Sequence, residues 1–524
     1  TTAGFFPADL VVSCAGIWGP KVGRMSGTPK PFQPLAHQLA WTEDIPSLAD
    51  QTEEITIPIM RHQGADLYSR QRFNGMGIGS YESFQYLREL GGTIDVASRV
   101  GEGTVITLLM PLTVLGSWTS IREKPHAFYA MLLVLTTGML GVFMSLDLAL
   151  FYVFWELMLV PMYLIIGIWG GQRRLYASLK FFLFTMLGSL LMLVAILYIG
   201  LKTADPLGRP VFAYDMILAS GSYPGSAAYW LFGAFALAFA VKVPMWPVHT
   251  WLPDAHVEAP TAGSVVLASI MLKMGTFGFV RFALPLFPDA VGDPRVRAVV
   301  ILLAVIGIVY GALVSMVQPD FKKLVAYSSV SHLGFVMLGI FALTTQSLQG
   351  ALMVNLNHGI STGALFLLIG MIYERRHTRL IADFGGIAKV MPMFAVMLTI
   401  VALSSIGVPG TNGFVGEFLV LIGAFRTEPI AATISATVVI FAAVYLLWAL
   451  QRIIYNKLEK PENAALQDLN WREIGLLVPL IAGIFWLGLY PAPVLNRSHA
   501  AATRVIERVH GVADTAPGAG TVRP

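Results

Sequence analysis

The sequence predicts an all-α polytopic membrane protein of about eleven transmembrane helices, preceded by a small irregular α/β segment. Three observations carry that expectation. Hydrophobic residues make up 56% of the chain and charged residues only 13%, with a mean hydropathy of +0.68, far from a soluble globular average. From about residue 125, apolar runs long enough to cross a hydrocarbon core of about 30 Å recur with short polar loops between them. Two of these runs are broken by proline, at Pro244 and Pro409, and the breaks lie five spans apart. Five is odd, so the two units have opposite orientations: two inverted five-helix repeats with broken helices, closed by a C-terminal helix.

Residues 1 to 112 have a different character. The chain begins with Thr1, which points to a fragment or a processed end, and shows no charged n-region with an apolar core that would mark a secretory signal. Ala8 to Gly27 reads as a buried strand, a glycine turn and a short helix. Together with PLAHQLAWT (Pro34 to Thr42) it resembles part of a flavin-dependent amine dehydrogenase of the dimethylglycine or sarcosine type, over residues 1–50. The GxGxxG fingerprint is missing, so no flavin site is assigned. In residues 51–112, GMGIGSYESFQYLRELGG (Gly75 to Gly92) reads as a glycine loop and a helix carrying Tyr81, Phe84 and Leu87. TIDVASR and TVITLLMP then flank a VGEG turn, a hairpin signal. This block resembles the last glycine box and closing hairpin of a sensor histidine kinase ATP-binding domain, without the asparagine box, first glycine box or phospho-accepting histidine. Two unrelated soluble fragments ahead of a membrane domain predict a fused or misassembled reading frame. An intact mass of the native protein that includes residues 1–112 would overturn that.

The expected spans are 127–146, 148–170, 176–201, 227–248, 262–287, 295–317, 322–345, 347–372, 391–424, 430–456 and 472–492. They form a first five-helix unit (125–290), a second (295–456), and a final helix with a tail (457–524). Loop cations give the orientation. Arg122, Lys124, Arg173, Arg174, Lys322, Lys323, Arg375, Arg376, Arg379, Lys457 and Lys460 fall on one side, which is therefore cytoplasmic. Their scatter over short loops, with a net charge of only +4, argues against nucleic acid as a partner. The single cysteine, Cys14, excludes an intramolecular disulfide framework and a cysteine metal cluster.

The stretch from Phe239 to Phe282 organises the membrane part. An apolar helix carries Lys242 and is broken by Pro244 and Pro247, a polar hairpin follows, and a second apolar helix carries Lys273. A lysine at the bilayer centre costs about 3 kcal/mol or more, so both are functional candidates. Glu156, His332, His358 and Glu417 also lie too deep in their spans to reach the interface. Alternating acids, lysines and histidines suit protons better than a dehydrated metal ion, which wants several carboxylates and carbonyls together. Other roles remain open: a lone intramembrane histidine also serves as an interhelical hydrogen-bonder, and Glu156 with Lys242 as a structural ion pair. Asp254 and His256 read as capping or loop-ordering residues, Lys322 and Lys323 as positive-inside residues. No Cys or His pair has haem or iron–sulfur spacing.

FWELMLVPMYLIIGIWGG (Phe154 to Gly171), the 239–282 stretch, KKLVAYSSVSHLGF (Lys322 to Phe335), NHGISTGALF (Asn357 to Phe366) and GVPGTNGFVGEF (Gly407 to Phe418) resemble the antiporter-like M-type subunit of proton-pumping NADH:quinone oxidoreductase, respiratory complex I, over roughly residues 120–495. The resemblance implies fourteen family helices, of which the three N-terminal ones are replaced here. It also implies a multi-pass location in the bacterial inner membrane and a path through Glu156, Lys242, Lys273, His332, His358 and Glu417. The glutamate at 417 favours the M type over its paralogues. NADH, FMN, iron–sulfur clusters and quinone would belong to partner subunits, with no cofactor or metal in this chain. The partners implied are other membrane subunits, both antiporter-like paralogues and small core subunits, and the lipid bilayer. A subunit of a multi-subunit cation/proton antiporter is the alternative.

Overall fold

The computed structural model describes residues 38–41, 60–62, 67–72, 75–80 and 96–513, apart from 205–207 and 222–224. The chain divides into two units, Thr1–Ile94 and Asp95–Pro524. The first contains an antiparallel sheet of β1 (Gln38–Trp41), β2 (Met60–His62), β3 (Leu67–Arg72) and β4 (Gly75–Ser80), ordered β1-β4-β3-β2. The expected glycine loop at Gly75 is therefore a strand, paired with β1 and β3 in registers that set Ile78 opposite Ala40 and Ser69. Met76 and Ile78 alternate with small residues at period two, a strand pattern. The expected strand–turn–helix at Ala8 to Gly27 and the helix after Ser80 lie outside the described residues.

The second unit opens with α1 (Val96–Ser117). Here the sequence reading was wrong: residues 96–112 lie in one helix rather than in a hairpin, and no boundary falls at 112. VGEG looked like a turn between β-branched runs, but Ile106, Leu109, Met110 and Leu112 are buried, and α1 packs on the helices that begin at Thr261 and Thr345. That tertiary burial overrides the weak strand propensity. The membrane unit thus gains one helix beyond the eleven expected.

Nine helices among the described residues are long and apolar enough to cross a membrane. They are α2 (Pro125–Met144), α3 (Leu148–Trp169), α4 (Arg174–Lys202), α7 (Thr261–Leu286), α8 (Pro294–Met316), α9 (Phe321–Phe341), α10 (Thr345–Arg376), α13 (Pro429–Tyr455) and α14 (Trp471–Leu489). The two proline breaks fall where expected. The first leaves α5 (Ser226–Lys242) and α6 (Trp251–Glu258); the second leaves α11 (Pro392–Ile406) and α12 (Asn412–Phe425). An amphipathic helix, α15 (Ala492–Ala513), ends the described chain.

Burial separates core helices from lipid-facing ones. The apolar window of α7 is 100% buried and those of α9 and α10 89%, whereas that of α4 is 39% buried. Leu183, Leu187, Leu191 and Val194 on α4 stand exposed, the lipid-facing side of a membrane helix. Side chains on α7, α9 and α10 therefore meet protein, and these three helices carry Lys273, His332 and His358. Helix starts are set by caps: Asp147 accepts from Leu150 N, Asp320 from Lys323 N, and Thr344 and Ser347 form a capping box. Each cap contributes about 1 kcal/mol.

On the cytoplasmic side, Asp383 in the loop after α10 accepts from the Thr378 hydroxyl at 2.6 Å and faces Lys460 Nζ at 3.5 Å. The Thr378 hydrogen bond, with help from Lys460, holds its carboxyl below the usual range. A depressed pKa stabilises the fold above the unfolded-state value and is lost as pH falls through the folded one. Asp383→Ala is expected to lower the thermal inactivation temperature slightly at neutral pH, by about 1 kcal/mol or less for so exposed a pair. Below the carboxylate range the variant and the parent should inactivate together.

Candidate functional site

Lys273 sits in the middle of α7, 2% exposed. The preceding turn, Leu267–Met271, is a π-helical bulge. A wide turn of this kind changes which amides the local carbonyls meet, and Lys273 Nζ donates to Ala268 O at 2.5 Å. It also meets His358 Nδ1 on α10, at 2.6 Å. The His358 ring stands edge-on to His332 on α9, with centroids 5.8 Å apart. His332 Nδ1 in turn lies 2.9 Å from Glu417 Oε1 on α12. Four residues singled out in the sequence thus stand in one row, Lys273–His358–His332–Glu417, hydrogen-bonded at its two ends and in ring contact between the histidines.

The second helix break holds that line in place. Asn357 Nδ2 donates to Asn412 O, while the Ser404 and Ser361 hydroxyls donate to Asn412 Oδ1. These bonds tie α10 and α11 to Asn412, the first residue of α12, just past the break at Pro409. His332, His358 and Glu417 line a cavity of about 20 Å³ together with Ser361, Thr362 and Ser404. That is room for one water among polar walls.

The other two residues make a separate group. Lys242 closes α5 at the first break and is 1% exposed. Glu156 lies on α3, two residues before the kink that Pro161 imposes at Met158. The expected Glu156–Lys242 ion pair is not formed: among the described residues no hydrogen bond reaches Lys242 Nζ, and Glu156 Oε1 has none either. The ammonium faces aromatic rings instead, 5.3 Å from the Trp155 centroid and 5.8 Å from that of Phe181. A desolvated cation over an indole gains about 2 kcal/mol, which offsets part of its burial. Glu156 still acts on Lys242 through its charge. The two lysines are linked through packing: a Cβ on Gly275 of α7 would come within 2.7 Å of Phe239 O and 2.9 Å of Val243 N. Only glycine lets the two charge-bearing helices approach so closely.

Two other expectations changed. His256 is neither a cap nor a loop-ordering residue; it is fully buried on α6, stacked on Phe366 with centroids 4.6 Å apart. Lys322 is buried too, donating to Ala259 O at 2.6 Å, rather than only lending surface charge. Sequence proximity to a loop hid both; their burial comes from α10 and the 257–261 segment folding over them. Asp254 meets Lys180 Nζ at 2.7 Å and ties α6 to α4.

Residues 145–443, which contain all six candidate residues, match the family described as NADH:quinone oxidoreductase/Mrp antiporter, transmembrane. This chain belongs to that family. Among its relatives, NADH-quinone oxidoreductase subunit M of Rhodobacter capsulatus is 46% identical over 77% of this chain and 80% of that protein. NADH-ubiquinone oxidoreductase chain 4 of Marchantia polymorpha is 40% identical, covering 78% and 80%. Among solved structures, a chain of respiratory complex I from Thermus thermophilus superposes with a TM-score of 0.72 at 35% identity, over 78% of this chain and 85% of that one. A chain of the Mrp complex from Dietzia sp. shares the fold, with a TM-score of 0.68 at 21% identity, over 79% and 85%. As a family member with nine apolar spans among its described residues, the chain is a multi-pass protein of the bacterial inner membrane.

Proposed function

We propose that this chain moves protons along Lys273, His358, His332 and Glu417 when quinone is reduced in partner subunits, with Lys242 and Glu156 setting the charge of Lys273 from a distance. The chain is a proton-translocating membrane subunit of NADH:quinone oxidoreductase. It carries no redox centre of its own in this reading. NADH, FMN, iron–sulfur clusters and quinone sit in the other subunits, and the small core subunits and antiporter-like paralogues are its neighbours in the membrane.

The observation that carries the path is the row from Lys273 Nζ to the Glu417 carboxylate, with hydrogen-bond contacts of 2.6 Å and 2.9 Å at its ends and, between them, the two histidine rings in contact beside a cavity with room for one water. Each member accepts and releases a proton, and neighbours this close hand it on without leaving a bare charge in a dry interior. A move of Lys242 towards or away from Glu156 changes the field at the α5–α7 contact, and so the ease with which Lys273 holds its proton. Glu417 lies on the outward half of the second broken helix and serves as the release group.

Glu417→Gln tests the path. Glutamine keeps a hydrogen bond to His332 but does not ionise. In inverted membrane vesicles, NADH-driven proton uptake is expected to fall about tenfold, with the complex still assembled. Unchanged uptake would remove Glu417 from the route. Transport that needs sodium and proceeds without NADH would assign the chain to a cation/proton antiporter instead.

A further inference from the structure

At the end of the membrane unit that the loop cations mark as cytoplasmic lies a cavity of about 600 Å³, a volume in the range of small-ligand sites, about 300–1,000 Å³. Its walls are the turn after α1, the end of α3, the 257–261 segment, the first turn of α9 and the last turn of α10. None of the six residues of the proposed path lines it. Trp169 and Tyr373 flank the space, and Arg472 Nη2 donates to Thr119 Oγ1 at its rim, at 2.9 Å, beside the exposed Trp118 and Trp471. Tryptophan and tyrosine collect at the headgroup level of a bilayer, where the ring meets lipid and its polar tip meets water.

A buried charge on this wall is unmatched. Lys322 is 7% exposed, and its ammonium donates to Ala259 O at 2.6 Å but forms no ion pair among the described residues. Asp320 and Glu258 act on it only at longer range, and both are engaged elsewhere. Arg379 Nε lies 3.1 Å from Asp320 Oδ2, and Arg173 N donates to Glu258 Oε2 at 2.9 Å. A buried ammonium has further N–H groups to satisfy, and leaving its charge bare is costly. Arg122, exposed on the same wall, has no ion pair among the described residues either. α7 begins here too, with no side chain capping its first amides, so the positive end of its dipole adds to the field. These groups call for an anion. The same walls carry Glu374, a carboxylate without an ion pair among the described residues, because its neighbour Arg375 is taken by Glu473 at 2.6 Å.

We infer that this cavity holds the headgroup of a phospholipid of the cytoplasmic leaflet, with its phosphate on Lys322, Arg122 and the start of α7 and a primary ammonium on Glu374. Phosphatidylethanolamine has that pairing of charges. A phosphate oxygen supplies the counter-charge that Lys322 lacks and accepts its spare N–H groups, and basic pockets between helices on this side of a membrane suit such headgroups. Phosphatidylglycerol brings the phosphate without the ammonium. Phosphatidylcholine brings a methylated nitrogen that cannot donate to a carboxylate. A bound headgroup joins α3 and α7 of the first five-helix unit to α9 and α10 of the second, and it does so independently of the proton path.

The test is photolabelling of the assembled complex in nanodiscs by a phosphatidylethanolamine that carries a diazirine near its glycerol, read by mass spectrometry of the peptides containing Trp169 and Tyr373. Both peptides are expected to be labelled. Unlabelled phosphatidylethanolamine should displace the probe about tenfold better than phosphatidylglycerol or phosphatidylcholine does, the worth of one hydrogen bond to a charged group. Glu374→Gln should abolish that preference. Lys322→Gln, whose amide still reaches Ala259 O, should lower labelling about tenfold. Arg122→Gln, a change at an exposed position, should lower it at least about threefold, and it decides the matter if the Lys322 variant fails to assemble. Labelling at the parent level in Arg122→Gln, or in an assembled Lys322→Gln, would overturn the phosphate site. Displacement by phosphatidylglycerol as good as by phosphatidylethanolamine would overturn the ammonium contact and with it the choice of lipid. Displacement by inorganic phosphate would show a site for a soluble anion and would overturn the lipid assignment. Labelling is read without turnover, so the outcome stands whether or not Lys273→Ala pumps.

Discussion

Lys273→Ala is expected to stop proton uptake by this subunit while leaving the fold of α7 in place. The side chain is the one cation in the line that ends at Glu417, and it is the group that His358 meets directly, at 2.6 Å. Removing it takes out a proton carrier and lets the His358 ring lose its partner. Alanine suits a helix, and the helix here is buried on all sides, so the backbone has no reason to rearrange. The loss in transport should be about tenfold or more, the range for removal of a positioned proton-transfer group. Lys273→Arg separates charge from proton exchange: it keeps a cation but holds its proton at any ordinary pH, so it should also fail to pump. Recovery of transport with arginine would mean that Lys273 acts as a fixed charge and that protons travel elsewhere.

Much of the molecule was legible from its residues because lipid makes the rules strict. Apolar runs of about 20 residues have few alternatives in a membrane, so the eleven expected spans are all present in the structure. The prolines at 244 and 409 located the breaks, and an ionisable group deep in a span stood out against its background, as Lys242, Lys273 and Glu417 did. The soluble rules served less well. Residues 96–117 carried a turn signal and β-branched neighbours, and only the surface offered by α7 and α10 makes them a helix. His256 was hidden by the opposite effect. It sits among polar residues near a break, which suggested a loop, and nothing local says that Phe366, 110 residues later, covers its ring. The Glu156–Lys242 pair failed for a related reason: opposite charges on neighbouring helices suggest contact, but Trp155 and Phe181 occupy the space around the ammonium.

The largest loss of stability is expected from Arg375→Ala. Arg375, at the cytoplasmic end of α10, makes a two-pronged contact with Glu473, Nη1 at 2.8 Å and Nη2 at 2.6 Å, while Nε donates to Gln467 O at 2.8 Å. Glu473 is 4% exposed and also completes the capping box at the start of α14 by accepting from Asn470 N. The adjoining Asp468 accepts from Met393 N and Phe394 N and so caps α11, the first half of the second broken helix. One guanidinium therefore ties α10, α11 and α14 together below the break that positions Glu417. Truncating it leaves a buried carboxylate without its counter-charge, which costs about 3–5 kcal/mol. In detergent-solubilised complex the variant should inactivate at a clearly lower temperature, and proton uptake should fall with subunit content rather than ahead of it. Arg375→Ala combined with Glu473→Gln should regain part of the loss, because a neutral amide no longer demands a partner and still fills the site. A double variant no more stable than Arg375→Ala would show that the fork holds the helices by its backbone contacts to the 467–468 turn, with the ion pair contributing little.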